Sequence, residues 1–307
     1  MGLAISTSWN AFRHTGALSI VSEIVALNFF EIELSFNLSY EIVEQFAGLV
    51  ERKKIQVVSL HNFCPYPEEL PRERALPDCF SLASPNQEER KHAVQLTKRT
   101  IDTAASLAAK CVVLHLGRVE IPDYTKELIL LYEQGQKDSL QFKQIRSDIQ
   151  IERAQNSSIY FEQALVSLDE LQEYASRKDI LLAVETRFYY REIPNLEELK
   201  IILQRFRNSN VRYWHDTGHA QVMENLGFYR HLDFLEVGSQ ALAGMHLHNL
   251  IGCQDHQPPH KGILDFGFLV DYFSKDTLKV MEVHHPATAE EIQESKKKLE
   301  ELFRAKL

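Results

Sequence analysis

The stretch Val211-Arg212-Tyr213-Trp214-His215-Asp216-Thr217-Gly218-His219-Ala220 passes from a β-prone run into a helical pattern. It places Asp216 at the carboxyl end of a strand and His219 in the turn behind it, where an α/β protein keeps its chemistry. An aspartate and a histidine three residues apart, around a glycine that allows a tight turn, could aim a carboxylate and an imidazole at one metal ion or substrate. Taken alone, the plainer reading is an aspartate that caps the next helix beside a hydrogen-bonded histidine. Similar strand ends carrying His, Asp or Glu recur along the whole chain, and that recurrence shifts the balance toward the first reading.

Runs rich in Val, Ile, Leu and aromatics lie at about residues 3–9, 29–36, 56–63, 111–118, 180–187, 211–216, 243–249 and 278–284. Most are nearly continuous apolar runs, as in parallel strands covered on both faces. Helical patterns separate them. Ser84-Pro85-Asn86-Gln87 reads as a capping box with Pro at the first helical position, followed by Val94, Thr97, Ile101, Ala104 and Ala108 at spacings of three or four. Asn195 with Glu198, and Thr288 with Glu291, mark later helix starts, and the last helix carries Ile292, Leu299, Leu302 and Phe303 on one face. Eight alternations of strand and helix predict an α/β fold, a closed single-domain (β/α)8 TIM barrel over residues 1–307.

Two connections exceed what a barrel requires. The one from Cys64 to Ala83 holds Pro65, Pro67, Pro71 and Pro77 and should be irregular. After strand four a helical insertion of about 119–156, densest over 124–149, precedes a regular helix at about 157–177. Both leave from strand carboxyl ends, which predicts lid or substrate-selecting elements over the mouth; for the insertion, a peripheral elaboration or oligomer contact is the alternative.

Lys plus Arg number 34 against 43 Asp plus Glu, a net charge of −9 that repels a phosphate backbone, and no basic stripe offsets it. Nucleic acid is therefore not an expected partner. The opening Met1-Gly2-Leu3-Ala4-Ile5-Ser6 lacks a basic region followed by an apolar one, and no apolar run approaches a membrane span. Cys64, Cys79, Cys111 and Cys253 have no C-x-x-C spacing and are too sparse for a disulfide scaffold, so a cytoplasmic protein is expected.

Of the 13 histidines, ten lie at strand carboxyl ends or just beyond: His61, His115, His215, His219, His246, His248, His256, His260, His284 and His285. Glu185 interrupts Leu181-Leu182-Ala183-Val184, and Glu282 sits between Met281 and Val283. A carboxylate inside an apolar strand is costly unless paired or bound to a cation. For one such glutamate an ion pair is the simpler account. Glu185, Asp216, His246 and Glu282 end strands five to eight in turn, and barrel strand ends converge on one mouth.

These residues bring out a resemblance to the xylose isomerase-like TIM-barrel superfamily, which includes sugar and hydroxypyruvate isomerases, ketose 3-epimerases and AP endonucleases of the endonuclease IV type. It is carried by SLHN at 59–62, VVLHLG at 112–117, AVET at 183–186, HDTGH at 215–219, MHLHN at 245–249, DHQPPHKG at 255–262 and VMEVH at 280–284. The resemblance implies that Glu185, Asp216, His246 and Glu282 hold one divalent metal. It matches His61 and His115 to the histidines that hold a second metal in the endonuclease-like branch. His219 matches a third-metal ligand there and a substrate-contacting histidine in the epimerases, and His256 matches a further third-metal histidine. The aspartate that branch carries two residues before this histidine is Gln254 here; Asp255 could substitute from the next position, with its side chain starting from a different direction. The resemblance also suggests a homo-oligomer.

Three carboxylates and one imidazole favour Mn²⁺, Mg²⁺, Co²⁺ or Zn²⁺. Such an ion, chelating the carbonyl and adjacent hydroxyl of a sugar-like substrate, would stabilise an enediolate, and Glu185 and Glu282 on opposite sides of the carbon could serve as base and acid. A metal-dependent sugar isomerase or epimerase is the first reading. The others are a zinc phosphodiesterase acting at abasic DNA and a non-catalytic metal- or sugar-binding barrel. Arg187, on the strand face of Glu185, could hold a substrate carboxylate or phosphate, or form a salt bridge. His248 shares a face with His246 and could support it from behind. Trp9 and Phe63 could wall a sugar face, or be core. Lys261 reads as solvent-exposed, and Cys64 and Cys253 as poor candidates for a catalytic thiol.

Overall fold

The computed structural model describes residues 2–304; Met1, where the stretch read for a leader begins, and residues 305–307 lie outside. Seven consecutive parallel strands run β1 (Ala4–Ser6), β2 (Glu31–Leu34), β3 (Gln56–His61), β4 (Cys111–Leu114), β5 (Leu181–Glu185), β6 (Val211–Asp216) and β7 (Leu242–Leu247). A hairpin of β8 (Asn249–Ile251) and β9 (Gln254–Gln257) follows, and then β10 (Leu278–Met281) closes the barrel against β1, with Ala4 opposite Val280. The strands fall where the apolar runs predict them. Several runs continue past the last paired residue, and Thr7–Trp9 forms a short 3-10 turn, because the loops roofing the strand ends are themselves buried.

Helices sheathe the barrel: α1 (Ala17–Ala26), α2 (Tyr40–Glu51), α3 (Gln87–Ser106), α4 (Thr125–Glu133), α5 (Leu140–Ser176), α6 (Leu196–Arg205), α7 (Thr217–Asn225), α8 (His231–Gly238) and α9 (Ala289–Arg304). Their apolar stripes, such as Ile42, Val43, Phe46 and Leu49 on α2 and Ile292, Leu299 and Phe303 on α9, are buried. Each such side chain contributes roughly 1.5–3 kcal/mol. Among the described residues no helix is long and apolar enough to cross a membrane.

A second, small apolar cluster of Val58, Val113, Ala183, Trp214 and Val280, with their neighbours, plugs the barrel interior. Above it the inward positions turn polar. Two register shifts set which residues face inward: pairing with β2 skips Val58, and pairing with β6 skips Ala243. Each extra residue re-aims the strand, so that Ser59 stands beside Glu33, and His246 beside Asp216.

Three details differ from the sequence reading. Asn86, not Ser84, caps α3 by accepting from Glu88 and Glu89 N–H; Pro85 precedes the cap, and Ser84 holds Glu89 from outside. The insertion has no boundary with the regular helix, because α5 runs unbroken for 37 residues with no Gly or Pro to stop it. Nor does an α-helix follow β7; the hairpin and a 3-10 helix (Phe266–Tyr272) take its place. The capping boxes at Asn195 and at Thr288 are present.

The insertion braces the mouth from the side. Arg153 of α5, 2% exposed, donates twice to Glu198 at 2.7 and 2.9 Å and once to the Glu192 carbonyl at 2.8 Å, which fixes the loop after β5. Glu133 at the end of α4 accepts Cys253 N–H at 2.8 Å and so holds the turn of the β8–β9 hairpin.

Candidate active site

His246, inward on β7 and fully buried, is the centre of the polar layer. Its Nδ1 lies 2.6 Å from Glu185 Oε1, 3.0 Å from Glu282 Oε2 and 3.6 Å from Asp216 Oδ2. Its Nε2 lies 3.0 Å from Glu33 Oε1. Burial pushes the imidazole down, but the Glu282 and Glu33 carboxylates outweigh it and hold its pKa well above the ordinary value. Burial likewise pushes the Glu185 carboxyl up, and His115, His246 and His61 overcome it and hold it well below. Glu185, Asp216, His246 and Glu282 are all buried and offer ligand atoms within 4.8 Å of one another. So many buried carboxylates around one imidazole need more positive charge than this histidine supplies, and the donor set fits a single divalent ion.

The second pair of histidines stands beside this group. His115 Nε2 lies 2.7 Å from Glu185 Oε2, and His61 Nε2 lies 3.9 Å from the same oxygen. The buried His115 Nε2 makes no aligned hydrogen bond; burial and Arg187 push this imidazole's pKa down, and the Asp78 and Glu185 carboxylates outweigh them and raise it. Its Nδ1 faces Asp78 Oδ2 at 3.3 Å, which fixes the ring. His61, His115 and Glu185 fit a second cation.

In the HDTGH stretch Asp216 is a helix cap, as the plainer reading has it. β6 passes directly into α7, and Asp216 caps it by accepting His219 N–H through Oδ1 at 2.7 Å while its other oxygen faces His246. No turn intervenes, so Gly218 is a helical residue; it is required because a Cβ there would meet His248 Cε1 at 2.2 Å. His248 Nδ1 accepts His256 N–H at 2.8 Å, which places its proton on Nε2, donated to Asp216 at 2.9 Å. Among the described residues, Asp216, His219, His248 and His256 form a third group. In it His248, with its Nε2 proton given to Asp216, orients the aspartate.

Asp255 lies where the substitution for Gln254 would need it. The hairpin turns Gln254 outward and Asp255 inward, and His256 takes a left-handed φ of 54°. Asp255 Oδ2 thereby lies 3.4 Å from His219 Nε2 and 3.0 Å from His256 Nδ1, so it reaches the third group from its shifted position.

These groups floor a cavity of about 370 Å³. Residues 74, 76–79 of the Pro-rich loop line it, as do Arg118, Arg187, Phe188, Tyr189, Arg191, His219 and His256. Among the described residues no part of 119–177 does, so the insertion supports the mouth loops and is no lid. Arg187 donates to Glu185 at 2.6 Å and to Glu192 at 3.0 Å, the salt-bridge alternative. Trp9 is not a wall of this cavity; it is 2% exposed, donates Nε1 to Ala287 O at 2.9 Å and borders a separate cleft. Phe63 is buried core, and Lys261 is exposed and pairs with Glu291. Burial pushes the Cys64 thiol well up and the Cys253 thiol up to about 12, which leaves neither a thiolate.

Sequence reasoning missed Glu33, Asp78 and Glu192. Glu33 carried a signal, since it breaks the apolar pair Ile32 and Leu34 as Glu185 and Glu282 break theirs. Asp78 and Glu192 sit in loops, where nothing local marks them.

The structural likeness extends across the chain. A solved D-tagatose 3-epimerase-like protein superposes with a TM-score of 0.66 at 17% identity, covering 100% of this chain and 98% of that one. The IOLI protein, solved with a bound zinc atom, gives 0.67 at 13% identity over 100% and 99%. At such identities the likeness concerns the fold. An uncharacterized protein, y4fM, of Sinorhizobium fredii (strain NBRC 101917 / NGR234) is 27% identical over 179 residues; the match takes in 58% of this chain and 47% of that relative, about half its length. The family model of the xylose isomerase-like TIM barrel matches residues 21–302, and the chain belongs to that family.

Proposed function

We propose that this chain is a divalent-metal-dependent isomerase or epimerase of a sugar, sugar phosphate or related hydroxycarbonyl compound, acting by proton transfer through an enediolate. The observation that carries the reading is the convergence of Glu185 and Glu282 on His246 Nδ1, at 2.6 and 3.0 Å, on the floor of a small-molecule cavity. They come from β5 and from the end of β10, with β6 and β7 between. Glu185, Asp216, His246 and Glu282 would hold the ion, with Mn²⁺, Mg²⁺, Co²⁺ and Zn²⁺ suited to the donors. Such an ion, when bound, supplies Lewis-acid stabilisation of negative charge on the substrate oxygens.

One glutamate removes the proton α to the carbonyl, and the other delivers a proton to the opposite face or the neighbouring carbon. Arg187 and His115 fix Glu185 in place. His256 Nε2, 3.6 Å from Glu282 Oε2, is placed to exchange a proton with Glu282, and His219 faces the cavity where a substrate hydroxyl would lie.

Solvent deuterium incorporation into a panel of ketopentoses and ketohexoses by metal-loaded protein tests the reading. Exchange is expected, with a loss of about 10²–10⁴-fold in Glu185→Gln and in Glu282→Gln. Folded variants that exchange as fast as the parent would remove both from the chemistry.

One observation supports a second reading, zinc-dependent phosphodiester hydrolysis at abasic DNA: the three groups described above and a fourth, His256, Glu282 and His284, are contiguous, sharing Glu185, Asp216, His256 and Glu282. The net charge of −9 opposes it. No incision of an abasic-site duplex is expected at physiological salt after Zn²⁺ loading, and efficient nicking lost in Glu185→Gln would reverse the order of the two readings.

A further inference from the structure

We infer that the β3–β5 side of the cavity mouth holds an oxyanion, so that the substrate is an acidic hydroxycarbonyl compound bearing a carboxylate or a phosphate. This rests on the small-molecule reading above and narrows its substrate class. Four arginines line the cavity, and all four come from the loops after three consecutive strands: Arg74 after β3, Arg118 after β4, and Arg187 and Arg191 after β5. The same lining carries five carboxylates, Asp78, Glu185, Glu192, Asp255 and Glu282, so what matters is which of these charges are already paired.

The four are not equivalent. Arg187 is committed to Glu185, Glu192 and Asp78 and serves the floor. Arg191 gives Nη1 to Ile121 O at 3.1 Å and faces Asp123 at 3.6 Å, which leaves its buried Nε without a partner. Arg118 has one pairing, with the half-exposed Glu120, of the kind worth little in water. Arg74 ends a 3-10 turn over the mouth, and among the described residues its guanidinium has no ion pair or hydrogen bond.

The carboxylates that line the cavity are already engaged. Glu185 and Glu282 face His246, Asp78 faces His115, Glu192 holds Arg187 and the Tyr189 N–H, and Asp255 faces His219 and His256. Guanidinium donors are therefore in excess at the rim alone, and their planar forks match the oxygens of a carboxylate or phosphate. A substrate with its carbonyl at the His246 floor and its anionic end under Arg74, Arg118 and Arg191 uses both halves of the cavity.

The test is calorimetric titration of the metal-loaded full chain with inorganic phosphate and with glycerate at constant ionic strength, with neutral glycerol as reference. At least one anion is expected to bind more tightly than glycerol. Its dissociation constant should rise about tenfold in Arg74→Ala and further in the Arg74→Ala, Arg118→Ala pair, each checked for metal content. Preference for phosphate assigns a phosphorylated substrate, and preference for glycerate a carboxylic one. Binding of neither anion, or anion binding that both variants retain in full, as for an anion held only at the metal, overturns the inference. No turnover is read, so loss of proton exchange in the deuterium assay with the anion response intact would instead count against the isomerase reading.

Discussion

Glu33 Oε1 lies 3.0 Å from His246 Nε2, and both side chains are fully buried. With Ser59 Oγ donating to its other oxygen at 2.8 Å, Glu33 is fixed behind the one imidazole of the four-residue group. The contact keeps a proton on Nε2, so that Nδ1, once it gives up its own proton, can offer a lone pair to an ion held with Glu185, Asp216 and Glu282. Glu33→Gln is expected to weaken divalent-ion affinity about 10–100-fold while the fold survives. Titration with Mn²⁺ or Zn²⁺ against a competing chelator, alongside circular dichroism, measures both. Unaltered affinity would mean that Glu33 merely fills the barrel.

Ion uptake should release protons. Burial pushes the His219 imidazole down, but Asp216 and Asp255 outweigh it and lift its pKa to about 9; His246 and His256 are also raised, by Glu282 and Glu33 and by Asp255. At pH 7 these rings carry protons in chelator-treated protein, and a ligating nitrogen must lose its own. As pH falls, protons compete harder, so ion affinity should fall with them. Binding heats in buffers of different ionisation enthalpy count the protons displaced. Proton uptake, or affinity that rises as pH falls, would contradict this arrangement.

His246 and the three carboxylates around it, Glu185, Asp216 and Glu282, were legible because each stands at the end of a strand-like run, and two of them, Glu185 and Glu282, interrupt apolar residues. Glu33 breaks its run in the same way, but lies deeper in the strand, and facing is decided by register. The skipped residues Val58 and Ala243 shift that register without leaving a mark in the sequence. Whether Asp255 could stand in for Gln254 stayed open, because a hairpin, and a left-handed His256, could not be seen in a stretch containing two prolines. The unbroken α5 was a readable signal, since residues 140–176 hold neither Gly nor Pro. Asp78 depends on where a Pro-rich loop folds back, a purely tertiary matter.

Gly218→Ala separates a packing role from a conformational one. Inside a helix this change ordinarily stabilises, by about 0.8–1 kcal/mol. Here the new Cβ would stand 2.2 Å from His248 Cε1 and 2.6 Å from its Nδ1. The ring cannot give way cheaply, because its two nitrogens are engaged by Asp216 at 2.9 Å and by His256 N–H at 2.8 Å. Overpacking of this kind costs about 1–3 kcal/mol, which reverses the sign of the helix-propensity gain. The melting temperature should fall by several degrees. Ion affinity should fall with it, since a displaced His248 releases Asp216 from its set orientation. Calorimetric melting of the chelated protein isolates the packing cost, and the same ion titration reads the consequence at the site. A variant that melts higher than the parent would show that His248 moves freely, and that it does not hold Asp216 in place.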